Sequence, residues 1–209
     1  MSSSRGPPFT TSNPSLAPWT RDLNSALAIL LGSLHTEFLE IRWDARTGLG
    51  TYVRPSCVVD RGQIVAAYWG QLSLDPPRTS RYVLELPPAV LDGRTVVPYI
   101  DAHLVCLRSP PQPANAAWLN HCCHEPTCYI SSHWVRHSDL PLAVVKSNRR
   151  LPGGTQLTFN YDAVSRTADS TFTISRQEAD LWPARGARPT PCGCNNLGPC
   201  PRDRWFPPQ

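Results

Sequence analysis

Proline divides this chain into short pieces. It accounts for 23 of the 209 residues. Because proline has no backbone N–H and a fixed φ angle, it interrupts helices and is excluded from central strands. The chain is therefore predicted to build short extended strands and turns, with loose ends, instead of long regular elements throughout.

One stretch near the amino terminus has a helical repeat. Residues 20–36, with Thr20 as a candidate N-cap, are predicted to form a helix that packs on the core. Its apolar positions, continued just beyond the helix, are Leu23, Leu27, Leu30, Leu34 and Phe38. The residues before it, 1–19, are polar and rich in proline and serine, and this composition predicts disorder.

From residue 37 onward, short apolar runs alternate with turn residues. Many short strands without alternating helices predict a mostly β fold, of the β-rich α+β kind, with mainly antiparallel sheets. The strand candidates are residues 39–43, 51–56, 63–72, 81–86, 96–106, 142–147 and 155–162.

Charge and hydrophobicity exclude some classes of protein. The longest apolar run, residues 23–34, is shorter than the roughly 20 residues of a membrane span, and the amino terminus lacks the apolar core of a secretory signal. We therefore expect an intracellular protein without a membrane segment. In a reducing compartment, clustered cysteines are more often metal ligands than disulfides. The net charge of +4 permits an acidic partner without demanding one.

Two cysteine clusters are far apart in the sequence. Residues 120–130 read NHCCHEPTCYI, and residues 192–200 read CGCNNLGPC. A structural zinc site needs four ligands in a tetrahedron, and the second cluster offers three thiols. From spacing alone, either the first cluster supplies a fourth ligand or the two sets of cysteines are unrelated. The candidates for that fourth ligand are Cys122, Cys123, His124 and Cys128.

Four segments, in order, resemble the SET-domain family of protein-lysine methyltransferases with a cysteine-rich post-SET tail. TGLGTYV (47–53) is similar to the family's Gly-x-Gly turn, and GQIVAAYWGQL (62–72) to a strand ending in Tyr-x-Gly. Residues 100–128 contain an Asp-Ala, a spacer and then the Asn-His-x-Cys pattern. GGTQLTFNYD (153–162) resembles the family's Gly-Glu-Glu-Leu-Thr-Phe-Asp-Tyr.

The resemblance implies a domain plan. Small curved sheets would form a SET domain over residues 37–165, with a pseudoknot in which the Asn-His segment threads through a loop closed by the last segment. A connector over residues 166–190 would lead to a zinc-bound post-SET segment at 191–205. The zinc ligands implied are Cys123, Cys192, Cys194 and Cys200. Cys122 would be a bystander, and Cys128 is expected to be buried in a strand.

The resemblance also implies an activity, the transfer of a methyl group from S-adenosylmethionine to a lysine amine. Such a transfer needs the amine and the methyl group to be held in line. Tyr161 would align the amine, Tyr68 would line the lysine channel, and Phe159 would leave room for di- or trimethylation. The residues expected to bind S-adenosylmethionine are Gly48, Leu49, Gly50, Asn120, His121 and Tyr161.

The partners implied are a protein with an exposed lysine, histone H3 first, and chromatin, in the nucleus with the cytoplasm as the alternative. The modest charge and the lack of interleaved basic and aromatic residues argue against sequence-specific nucleic-acid binding. Ala117 stands where the family has Arg, Thr127 where it has Asn, and Asn160 where it has Asp. These departures leave a second reading open, a catalytically weak SET-fold module that binds chromatin or protein.

Overall fold

The computed structural model describes residues 7–45, 47–75, 83–108, 111–122, 125–134 and 139–160. Within these ranges there are two α-helices and twelve short strands, and the strands form five small sheets. The predicted mostly β class is therefore confirmed for the described part of the chain. No helix in those ranges has the length and apolar character needed to cross a membrane.

The elements follow one another in a fixed order along the chain. They are α1 (Ala17–Ser33), β1 (Leu39–Asp44), β2 (Gly48–Val53), β3 (Ile64–Tyr68), β4 (Gln71–Ser73), β5 (Val83–Glu85), β6 (Ala89–Leu91), β7 (Arg94–Val96), β8 (Tyr99–Asp101), α2 (His103–Arg108), β9 (Asn120–His121), β10 (Cys128–His133), β11 (Leu142–Ser147) and β12 (Thr158–Phe159).

The first helix differs from the prediction at its start. It begins at Ala17 instead of Thr20, directly after a 3₁₀ turn over Pro14–Leu16 that is capped by the side chain of Asn13. Pro18 is tolerated in the first helical turn because the N–H it lacks has no partner there. The predicted apolar stripe is confirmed, since the residues buried on this helix include Leu23, Leu27 and Leu30.

The prediction of disorder is wrong for residues 7–19. Phe9 is fully buried. The side chain of Asn24 on α1 hydrogen-bonds both the N–H and the carbonyl of Phe9. The Phe9 N–H donates to Asn24 Oδ1 over 2.8 Å, and Asn24 Nδ2 donates to the Phe9 carbonyl over 2.9 Å. The next residue, Thr10, forms a bridge to Gln71 of β4. One buried aromatic ring therefore anchors a segment whose composition is otherwise typical of a disordered terminus.

β11 lies within the hydrophobic core of the described residues. This strand lies between β10 and β3 in an antiparallel sheet, and five of its six residues are buried. α1 packs against it. A second three-stranded sheet has the order β4-β8-β5, and β1-β2 and β6-β7 are antiparallel pairs.

The expected strand over residues 96–106 is only partly correct. Tyr99–Asp101 is a strand, but His103–Arg108 is helix α2. Asp101 accepts a hydrogen bond from the His103 N–H over 2.8 Å, which is an Asx turn that leads into the helix. Gly70 packs directly on the same corner, where an added Cβ would lie 2.2 Å from the Asp101 carbonyl oxygen.

Candidate functional site

Two short strands bring together the segments that were singled out near residues 120 and 159. β9 and β12 pair in parallel, with Asn120 opposite Thr158 and His121 opposite Phe159. All four side chains are buried. The Cys122 N–H extends the pairing by donating to the Phe159 carbonyl over 3.1 Å. Parallel strands cannot be joined by a tight turn, so this contact requires a long excursion of the chain between them.

The glycine turn at the start of β2 lies against the same pair of strands. Asn120 Nδ2 donates to the Leu49 carbonyl over 3.2 Å. An added Cβ on Gly50 would lie only 2.6 Å from that nitrogen, so the close approach requires glycine. Gly48 has φ +77°, in the left-handed region that favours glycine. Two of the three predicted cofactor residues of the turn, Leu49 and Gly50, therefore contact Asn120.

The segment before β12 also contacts this turn, through a residue that the sequence did not single out. Gln156 Nε2 donates to Thr47 Oγ1 over 3.1 Å and lies 2.8 Å from the Cβ position of Gly50. Backbone bonds run beside it, since the Leu157 N–H donates to the Thr51 carbonyl over 2.8 Å. β2 is therefore bound on one side by β1 and on the other by residues 154–157.

Thr127, a departure from the family pattern, has a clear structural role. Its hydroxyl accepts from the Thr158 N–H over 2.8 Å and donates to the Gln156 carbonyl over 3.0 Å. Its own N–H donates to Thr158 Oγ1 over 3.2 Å. A buried backbone group without a partner is costly, and Thr127 supplies the partners for this short parallel pair.

Tyr52 and Arg42 flank the glycine turn on β2 and β1. In the β1–β2 register, Arg42 stands opposite Gly50, and its guanidinium lies 3.9 Å from the centroid of the Tyr52 ring. The Tyr52 hydroxyl is buried, and no partner for it is found among the described residues. A cation and a buried hydroxyl therefore stand beside the turn.

The remaining predicted site residues are distributed as follows. Tyr68 is buried at the end of β3; the residue before it, Ala67, hydrogen-bonds the Ala114 carbonyl, so β3 borders the segment leading to Asn120. The role of its ring in a lysine channel stays a prediction. The other predicted residues lie outside the described ranges, namely Tyr161, Cys123, Cys192, Cys194 and Cys200.

Two of the described cysteines, Cys128 and Cys106, have thiols whose pKa is raised by burial. Cys128 is 1% exposed on β10, as predicted, and burial raises its pKa to about 12. Burial, and then the charge of Asp101, raise the pKa of Cys106 to about 11. Within the described ranges, no three metal-ligating side chains cluster.

The described residues thus define a mostly β protein in which a glycine turn, an Asn-His strand and a Thr-Phe strand converge. No protein-family model matches the sequence, and no curated protein matches it. Solved structures similar to this chain include the methyltransferase domain of human histone-lysine N-methyltransferase SETMAR, with 16% identity and a TM-score of 0.45 over 65% of this chain and 49% of that one.

Two further solved structures are also similar to this chain. Neurospora DIM-5, a histone lysine methyltransferase, has 21% identity and a TM-score of 0.44 over 63% of this chain and 55% of that one. ATXR5 in complex with mono-methylated histone H3.1 has 14% identity and a TM-score of 0.45 over 73% of this chain and 67% of that one. This chain spans about half the length of the SETMAR and DIM-5 chains.

Proposed function

We propose that this chain is an S-adenosylmethionine-dependent protein-lysine N-methyltransferase of the SET type. Its proposed substrate is a histone tail, that of H3 first, in chromatin in the nucleus. Its proposed product is di- or trimethyl-lysine.

The observation that carries the proposal is the contact between Asn120 and the Leu49 carbonyl. Residues 49 and 120 are 71 positions apart in the chain, and β12 pairs with β9 from a third region. These three regions belong to three of the four segments on which the resemblance to the SET family rests. Their convergence in space is the arrangement that a binding site built from them requires.

The described residues fit the chemistry of S-adenosylmethionine. Its amino-acid end carries a carboxylate, and the exposed Arg42 beside Gly50 offers an opposite charge. Its adenine ring is flat and apolar on both faces, and the exposed side chains of Trp43 and Leu49 stand opposite each other at the tip of the hairpin. The buried Tyr52 hydroxyl adds a polar atom beside the turn.

Bound S-adenosylmethionine would supply the methyl group that is transferred to the lysine nitrogen. In this proposal the Tyr161 hydroxyl aligns the lysine amine with that methyl group. Tyr68 lines an apolar channel, in which burial lowers the pKa of the lysine and keeps its nitrogen neutral. Phe159 contributes a ring without a hydroxyl, so that no water is fixed beside the amine and a second methylation has room.

A structural zinc ion on Cys123, Cys192, Cys194 and Cys200 belongs to the same proposal. Metal analysis of the purified chain tests it. One equivalent of zinc, lost in Cys194→Ser and retained in Cys57→Ser, is expected. Equal zinc content in wild type and Cys194→Ser would contradict the ligand set.

The activity is tested with labelled S-adenosylmethionine and core histones. We expect label on a histone with the wild-type chain, strong loss in Tyr161→Phe, and unchanged labelling in the control Tyr129→Phe, which changes a tyrosine on β10. Mass spectrometry of the product tests Phe159, since monomethyl-lysine alone at long times would contradict its assigned role.

A second candidate function rests on Ala117. Where the family has an arginine, this chain has a small buried residue in the 3₁₀ turn before β9, capped by Asn115 over 3.0 Å. A chain that binds a histone peptide without transferring label, in wild type and Tyr161→Phe alike, would favour a catalytically weak binding module.

A further inference from the structure

We infer that Gln156 is a positioning residue for the glycine turn, holding it in the shape that binds S-adenosylmethionine. This inference rests on the proposed function. In the segment that resembles the SET family, Gln156 stands at the second Glu of Gly-Glu-Glu-Leu. The resemblance assigns no role to this position.

One atom of the Gln156 side chain, Nε2, contacts both ends of the turn. At one end its Nε2 donates to Thr47 Oγ1 over 3.1 Å. At the other end the same nitrogen packs on Gly50, 2.8 Å from where a Cβ would stand. Thr47 is itself fixed, because it is 5% exposed and its N–H donates to Asp44 Oδ1 over 3.2 Å.

Gln156 is also held firmly on its own side. Its carbonyl accepts the Thr127 hydroxyl over 3.0 Å, and it forms a bridge with Tyr52 of β2. The amide therefore projects from a fixed backbone, and its hydrogen bond fixes the turn relative to the segment before β12. Asn120 holds the middle of the same turn at Leu49, so two amides from paired segments fix it together.

Loss of the Gln156 amide would remove the side-chain hydrogen bond that ties Thr47, at the start of the turn, to the segment before β12. If the turn becomes ordered only when the ligand binds, the free-energy cost of ordering it reduces the favourable free energy of binding, and the affinity falls. The described contacts of the Gln156 side chain reach Thr47 and Gly50 and do not include Phe159. The effect is therefore expected on binding of S-adenosylmethionine and not on the methyl transfer itself.

Four variants test the inference in pairs. Gln156→Ala and Thr47→Val each remove the bond between the two side chains. Gln156→Glu keeps the length of the side chain and can accept a hydrogen bond from the Thr47 hydroxyl, and Thr47→Ser keeps that hydroxyl. Because one hydrogen bond corresponds to roughly a tenfold change in an equilibrium constant, we expect Kd and KM for S-adenosylmethionine to rise about tenfold in the first two variants and to stay near wild type in the others.

Two further readouts separate positioning from general destabilisation. kcat at saturating S-adenosylmethionine should stay within about twofold of wild type. Backbone amide exchange of residues 47–50 in the ligand-free chain should accelerate in Gln156→Ala and Thr47→Val, while exchange in β11 stays unchanged.

The outcomes are distinguishable. Unchanged Kd in Gln156→Ala, or a loss in Gln156→Glu as large as in Gln156→Ala, would overturn the inference while leaving the proposed function intact. A wild-type chain that does not bind S-adenosylmethionine would overturn the proposed function and the ligand role of Gln156 with it. Since Gln156 is only half-buried, Gln156→Ala is expected to fold, and thermal denaturation checks that it does.

Discussion

Substitution of Gly50 by alanine probes the packing of the site directly. The added Cβ would stand 2.6 Å from Asn120 Nδ2 and 2.8 Å from Gln156 Nε2, well inside normal contact distance. Both atoms are ends of side chains and can move. When they move, each amide gives up its hydrogen bond, Asn120 to the Leu49 carbonyl and Gln156 to Thr47.

The magnitude follows from those two bonds. A hydrogen bond contributes a net of about 0.5–1.5 kcal/mol, so losing both is expected to lower the free energy of unfolding by about 1–3 kcal/mol. In a chain that already carries Asn120→Ala, one of the two obstacles is absent. Gly50→Ala should then cost only about half as much, which gives a coupling of about 0.5–1.5 kcal/mol between the two positions.

Urea denaturation of the wild-type chain, both single variants and the double variant measures this coupling. Gly32→Ala is the matched control, because an added Cβ at that position in α1 meets nothing within 4 Å. It should be neutral or stabilising by up to about 1 kcal/mol. If Gly50→Ala costs the same with and without the Asn120 side chain, the described contact between the turn and β9 is wrong.

Three other predictions concern the supports of the site. Gly70→Ala should destabilise more than Gly50→Ala, because its Cβ would meet backbone of β8 at 2.2 Å; equal unfolding free energies in urea would refute this. Thr127→Val should cost about 1–3 kcal/mol, since it leaves the Thr158 N–H buried without a partner, and Thr127→Ser should restore most of that stability. Burial raises the pKa of Cys128 from 9.0 to about 12, so the neutral thiol suits the fold, and the stability of wild type relative to Cys128→Ala should be constant below pH 9 and fall as pH rises from there. A pH-independent difference in unfolding free energy would contradict the burial of that thiol.

Much of the sheet architecture follows from periodicity, and its exceptions have physical reasons. β1 alternates apolar and polar residues and β11 is an apolar run that follows a proline, and both patterns favour strands. α2 was predicted as strand because a short apolar run fits a helix or a strand equally well. The early start of α1 was missed because a proline is permitted in the first turn of a helix, and the capping residue Asn13 lies within an otherwise loose composition.

The candidate site could be predicted only in part. The glycine turn and the Asn-His pair were recognisable because each motif carries its own residue types. Gln156 and Thr127 were not, since a lone amide or hydroxyl near a strand end is typical of a solvent-facing position. The contact from Gln156 to Thr47 spans 109 residues, and the parallel pairing involves strands of two residues each, too short for any periodicity.

Calorimetric binding of S-adenosylmethionine to the whole chain tests the central claim most directly. The account predicts one site per chain, with affinity reduced at least about tenfold by Asn120→Ala and by Gly50→Ala but unchanged by Gly32→Ala. Absence of binding by a folded wild-type chain, or binding that none of these substitutions alters, would contradict the assignment of the glycine turn and the Asn-His strand as its site.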